Sequence, residues 1–394
     1  VDLFSKCAAF TEAKEVQAMG LYPYFIPLTN SEGDIAWVGD HKVIMAGSNN
    51  YLGLTTHPKV RQAAMDALQH YGTSCTGSRF LNGTLELHLE LERRLAQFVG
   101  KEAALVFSTG YQTNVGTISA LVGRSDFVIT DKEDHASILD GCRLSYGTLR
   151  RFPHNDVEAL DRLLASLPKE TGRLVVVDGV FSMGGDIAPL PDLIAVCQKH
   201  GARLMVDDAH SIGVLGDGRG TAAHFGVTDQ VDLIMGTFSK SFASLGGFVA
   251  GDAEVMHYVQ HHARSLIFSA SIPPANTAAA LAALEVMIEE PERARRVMAI
   301  GERMRQGFRA MGFNVGNSQT PIVPVVIGED LKTFQAWKML FEAGVYTNPV
   351  ISPAVPEGQA LLRTSYIATH TDEQLDFVLD AFGKMGRALG IIAA

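Results

Sequence analysis

The sequence predicts an α/β protein with a central, mostly parallel sheet flanked by helices on both faces, followed by a smaller α+β domain. Short apolar runs recur between residues 104 and 251 and alternate with helical stretches. The runs are continuously apolar, as expected of strands buried on both faces. Past Pro274 the texture changes to long helices and then a few strands.

Taken in order, residues 5–20 read as a helix, and a Pro/Tyr-rich passage follows. Residues 42–46, KVIMA, read as a short strand. HPKVRQAAMDALQHYG, from His57, is a helix closed by Gly72. LELHLELERRLAQFVG, from Leu85, has apolar residues at helical spacing and a terminal glycine. The strand candidates are ALVF (104–107), DFVIT (126–130), LVVVD (174–178), RLMVD (203–207), DLIMG (232–236) and GFVAG (247–251), and PLPDLIAVCQKHG suits a crossover helix. From Ala275 a helical segment runs for some thirty-five residues, with a break at Glu290–Pro291. PIVPVVIG is a strand whose prolines favour an edge or entry position. LKTFQAWKMLFEAG is a helix, LLRTSYIA a strand and TDEQLDFVLDAFGKMGRAL the last helix, with Thr371 and Gln374 spaced as a capping box. The division is an N-terminal arm over 1–50, a large α/β domain over 51–275 and a small domain over 276–394.

The 394 residues suffice for a large core, and 47% hydrophobic content is ordinary for a globular protein. A net charge of -10 argues against nucleic acid or an anionic membrane as main partner. Cys7, Cys75, Cys142 and Cys197 are widely spaced, with no CxxC or Cys/His cluster; a structural zinc is not expected, and a reducing compartment is. The first residues resemble neither a signal peptide nor a spanning helix, so a cytoplasmic location is the expectation.

The chemistry-bearing residues follow the apolar runs, and in open α/β sheets the carboxyl ends of strands line the ligand crevice. Lys240, in GTFSKSFASLGG, follows DLIMG; alone it reads equally as a surface lysine, a phosphate grip or a covalent nucleophile. LMVDDAHS ends a strand with Asp207, Asp208 and His210, and the strand period sends the two acids to opposite faces. As an ordinary turn, that segment would use its acids only to bond backbone N–H groups. A metal site is disfavoured because the acids do not converge. FSTGYQTN offers Ser108, Thr109 and Gly110 at a helix start, where free N–H groups suit a phosphate, but the spacing fits neither GxxxxGK[ST] nor GxGxxG. His135 follows DFVIT, Ser182 follows LVVVD, and Asn49 precedes a turn in SNNYLGL. Together these describe a pocket with a phosphate cradle, an acid, an aromatic cap and an amine, which fits pyridoxal 5′-phosphate (PLP) held by a Schiff-base lysine.

The ordered motifs SNNYLGL, GSRFLNGT, FSTGYQTN, DHASI, DGVFSMGGD, VDDAHS and GTFSKSFASLGG cover nearly the whole chain and resemble the α-oxoamine synthases, fold-type I PLP enzymes. The resemblance implies an aminotransferase-like fold and a decarboxylative condensation of an amino acid with an acyl-CoA. It assigns Lys240 to the covalent link, His135 to the ring face and substrate carboxylate, and Asp207 to the pyridine nitrogen. His210 is assigned to the phenolic oxygen with Ser182 nearby, and Gly110, Tyr111, Thr237 and Ser239 to the phosphate and ring edge. Ser269 and Ala270 would complete a neighbouring subunit's phosphate site, implying a homodimer with shared active sites. Asn49 and Arg363 match residues near the amino-acid carboxylate. YGTSCTGSRFLNGT and NPVISPAVP are most similar to members that use L-serine and a long-chain acyl-CoA; glycine- or alanine-using members and a noncatalytic partner subunit are the alternatives. LYPYFIPL has no arginine or lysine for a carboxylated acyl group, which favours a plain alkyl chain, and NPVISPAVP lacks the extra arginine of some relatives. The reading is compatible with peripheral association at a membrane surface, and Cys75, a lone cysteine in a Gly/Thr/Ser-rich segment, reads as a packing residue rather than a nucleophile.

Overall fold

The computed structural model describes residues 2–393. Its centre is a seven-stranded sheet of β1 (Ala103–Phe107), β2 (Phe127–Asp131), β3 (Thr148–Phe152), β4 (Arg173–Asp178), β5 (Arg203–Asp207), β6 (Leu233–Thr237) and β7 (Gly247–Gly251), in the order β1-β7-β6-β5-β4-β2-β3. The pairs among β2 to β6 are parallel, and β7 runs antiparallel to both β6 and β1. The sheet is therefore mostly parallel, and six strands end on one edge.

Successive residues in these strands feed two separate cores. Val175, Val177, Leu204, Val206 and Ile234 join one apolar cluster. Leu174, Val176, Met205, Leu233 and Met235 join another on the opposite face. A fully buried valine such as Val175 contributes about 1.5–3 kcal/mol. Both faces being covered is why the sequence shows no polar alternation here.

Strand β3 has no such signature. Only Phe152 of Thr148–Phe152 is buried, and Arg150 and Arg151 are exposed, as an outer strand allows. The sequence reading passes over it for that reason. The single helix expected over 5–20 is instead two short ones, Ser5–Ala9 and Glu12–Ala18, neither with a buried residue. Without an apolar face to pack, nothing holds one continuous helix. The segment at 42–46 is the second strand, His41–Met45, of a hairpin with Ile35–Val38, turning at Gly39 with φ 60°. It also pairs in parallel with Val345–Tyr346.

The C-terminal part forms a three-stranded antiparallel sheet of β8 (Ile322–Gly328), β9 (Asn348–Val350) and β10 (Ala360–Ser365), with β10 in the middle and the proline-bearing β8 at an edge. Helices Pro274–Glu289 and Glu292–Ala310 break at Glu290–Pro291, and Asp372–Ala388 begins with the Thr371/Gln374 capping box. Their core, around Phe308, Leu362, Tyr366 and Phe382, includes Ala46, with Ile26 and Ile44 packed against it.

Candidate active site

The carboxyl ends of β1, β2, β4, β5 and β6 deliver residues 108–111, 135, 178–182, 207–210 and 237–240 to one edge. There a cavity of about 260 Å³ opens, lined by Gly110, Tyr111, His135, Ser182, Asp207, His210, Thr237, Ser239 and Lys240, together with Asn114, Ser137 and Asp178. Asn49, Arg363, Ser269 and Ala270 are outside this lining.

The loop of Lys240 is fixed by its neighbours. Phe238 and Phe242 are fully buried, their rings 5.0 Å apart, and Phe238 stacks on Phe248 at 5.9 Å. The Phe238 N–H donates to Gly246 O at 2.9 Å, and Ala243, in the left-handed region at φ 52°, turns the chain so that its N–H reaches Lys240 O. The lysine thus projects from a rigid turn. Desolvation lowers its pKa to about 8; Asp207 and Asp178 oppose this, and Arg363 adds to it.

Asp207 and Asp208 diverge as the strand period requires. Asp207 faces the cavity, its Oδ2 accepting from Asn114 Nδ2 at 2.7 Å and its Oδ1 from the Ala209 N–H at 3.0 Å. Asp208 points away and braces the loop, accepting the Thr221 N–H at 3.0 Å and the Ser211 hydroxyl. Burial raises the Asp208 pKa to about 6, against those hydrogen bonds.

His135 caps the helix α1 (Ala136–Leu144): its Nδ1 accepts the Ser137 N–H at 3.2 Å and meets Ser137 Oγ at 2.7 Å. In the neutral ring this leaves the proton on Nε2, available to a ligand. Burial lowers its pKa; Asp207 opposes and Lys240 reinforces the shift. His210 Nδ1 is 2.7 Å from the hydroxyl of Tyr51, which is completely buried. Burial, then the charges of Lys240, Arg363 and His135, hold His210 well below the usual histidine range.

At the other end of the cavity, Thr109 caps the helix Gly110–Leu121 by accepting the Gln112 N–H at 3.0 Å. Gly110 lies against Thr237: a Cβ there would be 2.6 Å from Thr237 Oγ1. Thr237 Oγ1 is also 3.0 Å from Ser239 Oγ. Free N–H groups of the helix start and three small side chains form a surface suited to a phosphate. Tyr111, half exposed, bonds Asp140 through its hydroxyl.

Arg363 is buried beside the cavity, on β10. It donates from Nε to Ser182 O at 2.6 Å and from Nη2 to Asn49 Oδ1 at 3.0 Å. It thereby links the small sheet to the loops at Asn49 and Ser182. Ser269 accepts from Gln112 Nε2 at 3.0 Å, and Ala270 O accepts from the Ser108 hydroxyl, so both lie beside the start of the helix Gly110–Leu121 without lining this cavity.

The sequence reading did not single out Tyr51, Asn114, Ser137 or Asp178. Each lies within or beside a quoted motif, and Asn114 carried a usable signal: it is four residues after Gly110, on the same helix face. The residues fit PLP. A half-buried amine of lowered pKa, a carboxylate held by an amide, a neutral imidazole and a glycine-lined helix start match the group's aldehyde, ring nitrogen, phenolic oxygen and phosphate. Among the described residues no group of three or more His, Cys, Asp or Glu is placed to hold a metal.

Comparison with known proteins agrees with this chemistry. The model of the aminotransferase class I and II family matches residues 41–382. A serine palmitoyltransferase of Sphingobacterium spiritivorum is 50% identical over 386 residues, covering 98% of this chain and 96% of its own. An 8-amino-7-oxononanoate synthase of Geobacter sulfurreducens is 44% identical over 385 residues, covering 97% and 98%. The solved serine palmitoyltransferase of S. paucimobilis with bound PLP–myriocin superposes with a TM-score of 0.97 at 39% identity, over the full length of both chains.

Proposed function

The chain belongs to the α-oxoamine synthase branch of the fold-type I PLP enzymes, and from that premise we propose that it condenses L-serine with palmitoyl-CoA. The products are 3-ketodihydrosphingosine, CoA and CO2, the entry to sphingolipid biosynthesis. The observation that carries this reading is the cavity that brings Lys240, His135 and Asp207 together, in a chain 50% identical to a serine palmitoyltransferase.

PLP supplies a carbonyl that links covalently to amines and an electron sink for negative charge at an amino acid's Cα. Lys240, Asp207, His135, His210, Ser182, Gly110, Tyr111, Thr237 and Ser239 would hold it. Lys240 would anchor it covalently, and once released its Nζ, neutral above about pH 8, is placed to take and return the Cα proton. Asp207 keeps its carboxylate directed into the cavity through Asn114, where it favours a protonated ring nitrogen. His135 presents Nε2–H to the substrate carboxylate. Arg363, through Asn49 and Ser182, sets the charge on that side of the site.

The site is completed in a homodimer, in which Ser269 and Ala270 of a second copy reach the phosphate end. Supporting this, both residues lie outside the cavity of their own chain, next to Phe268, which is 73% exposed. The reading rests on an arm over 1–50, a PLP-binding domain over 51–275 and a small domain over 276–394, in a cytoplasmic enzyme. Among the described residues no helix is long and apolar enough to cross a membrane.

The test is product identification by mass spectrometry after incubating the PLP-loaded protein with palmitoyl-CoA and an equal mixture of L-serine, L-alanine and glycine. The serine-derived ketone with release of CO2 is expected. Turnover of alanine or glycine without serine would replace this reading with that of an alanine-using (8-amino-7-oxononanoate synthase type) or glycine-using (2-amino-3-ketobutyrate CoA ligase type) member of the family.

A further inference from the structure

Strands β2 and β4 lie side by side, and the loops leaving them carry His135 and Ser182. Behind these loops, outside the cavity lining, is a second polar network. His154, in the loop after β3, has Nδ1 3.1 Å from Asp131 Oδ1 and Nε2 2.9 Å from Asp186 Oδ2. Asp131 ends β2 and is 1% exposed; Asp186 closes the loop after β4. Asn155 repeats the link, its N–H donating to Asp131 Oδ2 at 2.7 Å and its side-chain amide to Asp186 Oδ2 at 2.9 Å. The ring of Phe181 meets the imidazole edge-on at 4.4 Å.

Each end of this bracket reaches the site through a short chain of hydrogen bonds. The Asp131 N–H donates to Asp134 Oδ2, Asp134 Oδ1 accepts the Asp178 N–H, and Asp178 Oδ2 accepts the N–H of His135. On the other side Asp186 O accepts the Phe181 N–H at 3.0 Å, next to Ser182, whose carbonyl holds Arg363.

We propose that His154 is a positioning residue of the active site: by joining Asp131 to Asp186 it locks the loop carrying His135 to the loop carrying Ser182. Both ring nitrogens face carboxylates, so the bracket is complete only when both carry protons. The charged groups facing the ring are Asp131, Asp186 and, at 3.7 Å, Glu133. Burial opposes protonation, but the hydrogen bonds and charges of Asp131 and Asp186 outweigh it and raise the pKa to about 10. The bracket is therefore closed throughout the neutral range.

The inference rests on the reading of His135 and Ser182 as site residues, but its primary test needs no substrate. Amide hydrogen exchange is measured on the PLP-loaded enzyme and on His154→Phe, which keeps an aromatic ring and removes both donors. Exchange is expected to rise about tenfold or more in residues 131–135 and 179–186 and to stay unchanged in 203–207. In steady-state assays kcat falls, and His154→Gln, which can serve one carboxylate, recovers part of it. Unchanged exchange in the two loops, or an equal rise in 203–207, overturns the proposal. Adding Asp186→Asn to His154→Phe is expected to cost clearly less than the sum of the two single changes, since both cut the His154–Asp186 link and only the second also touches the Asn155 amide; full additivity also overturns it. Should His154→Phe not fold, Asp186→Asn alone carries the exchange test with the same two outcomes. Altered loop exchange in an enzyme that does not use serine would refute the substrate reading and leave the bracket standing.

Discussion

The side-chain amide of Asn114 donates to Asp207 Oδ2 at 2.7 Å and to Ser137 Oγ at 2.9 Å. One residue of the helix Gly110–Leu121 thus fixes the acid at the end of β5 and the serine beneath His135. Asn114→Leu leaves the buried carboxylate short of a donor. We expect a loss of about 1–3 kcal/mol in unfolding free energy, read by urea denaturation, together with faster loss of PLP on dialysis. Stability within error of the parent would show that Asp207 does not depend on this amide.

Lys240 has a pKa of about 8, below the ordinary 10.5. Its neutral amine, the form that attacks a carbonyl, therefore predominates above that pH. The rate of PLP uptake by the apoprotein is expected to climb with pH and level off above about 8. A rate still rising at about pH 10, the range of an unperturbed lysine, would contradict a desolvated amine. Lys240→Ala should bind PLP without any borohydride-fixed attachment, checked by peptide mass mapping.

His154 has its pKa raised from 6.5 to about 10, with burial opposing and Asp131 and Asp186 prevailing. A raised folded pKa contributes stability that is fully present below the unfolded value and is lost as pH rises through the folded one. The stability difference between the parent and His154→Gln should therefore be largest below about pH 6.5 and shrink toward pH 10. Denaturation series across that window check it. A constant difference would mean that the ring acts through packing alone.

Gly110 leaves no room for a side chain, because a Cβ would be 2.6 Å from Thr237 Oγ1 and 2.8 Å from Thr237 Cβ. Gly110→Val must displace the threonine from the phosphate end. PLP affinity is expected to fall at least about tenfold, by equilibrium titration, with the far-ultraviolet dichroism of the fold retained. Unaltered affinity would remove Thr237 from the cofactor's contacts.

The central strands were legible because burial on both faces leaves an uninterrupted apolar run, as at LVVVD and RLMVD. Strand β3 was not, since an edge strand with two exposed arginines has no reason to be apolar. Residues at strand ends, such as Lys240 and Asp207, were legible because polarity begins abruptly where the run stops. Asn114 and Tyr51 were harder: one is inside a helix and the other in an irregular turn, and their partners Asp207 and His210 are 93 and 159 residues away. Contacts of that span follow from the fold, and a local pattern does not contain them.

The adjacent acids Asp207 and Asp208 make the registry of one short strand a chemical setting. Their residue types are identical, and only the pleat distinguishes the one facing the cavity from the one holding Thr221 and Ser211. Inserting or deleting one residue within Arg203–Asp207 would reverse those assignments while leaving the composition of the site intact. Counting the right residues in the right order is therefore not enough to identify a working relative. In any homologous chain the parity of the spacing between this acid pair and the residues packed on one face of the strand, as Leu204 and Val206 are here, decides which carboxylate faces the cavity.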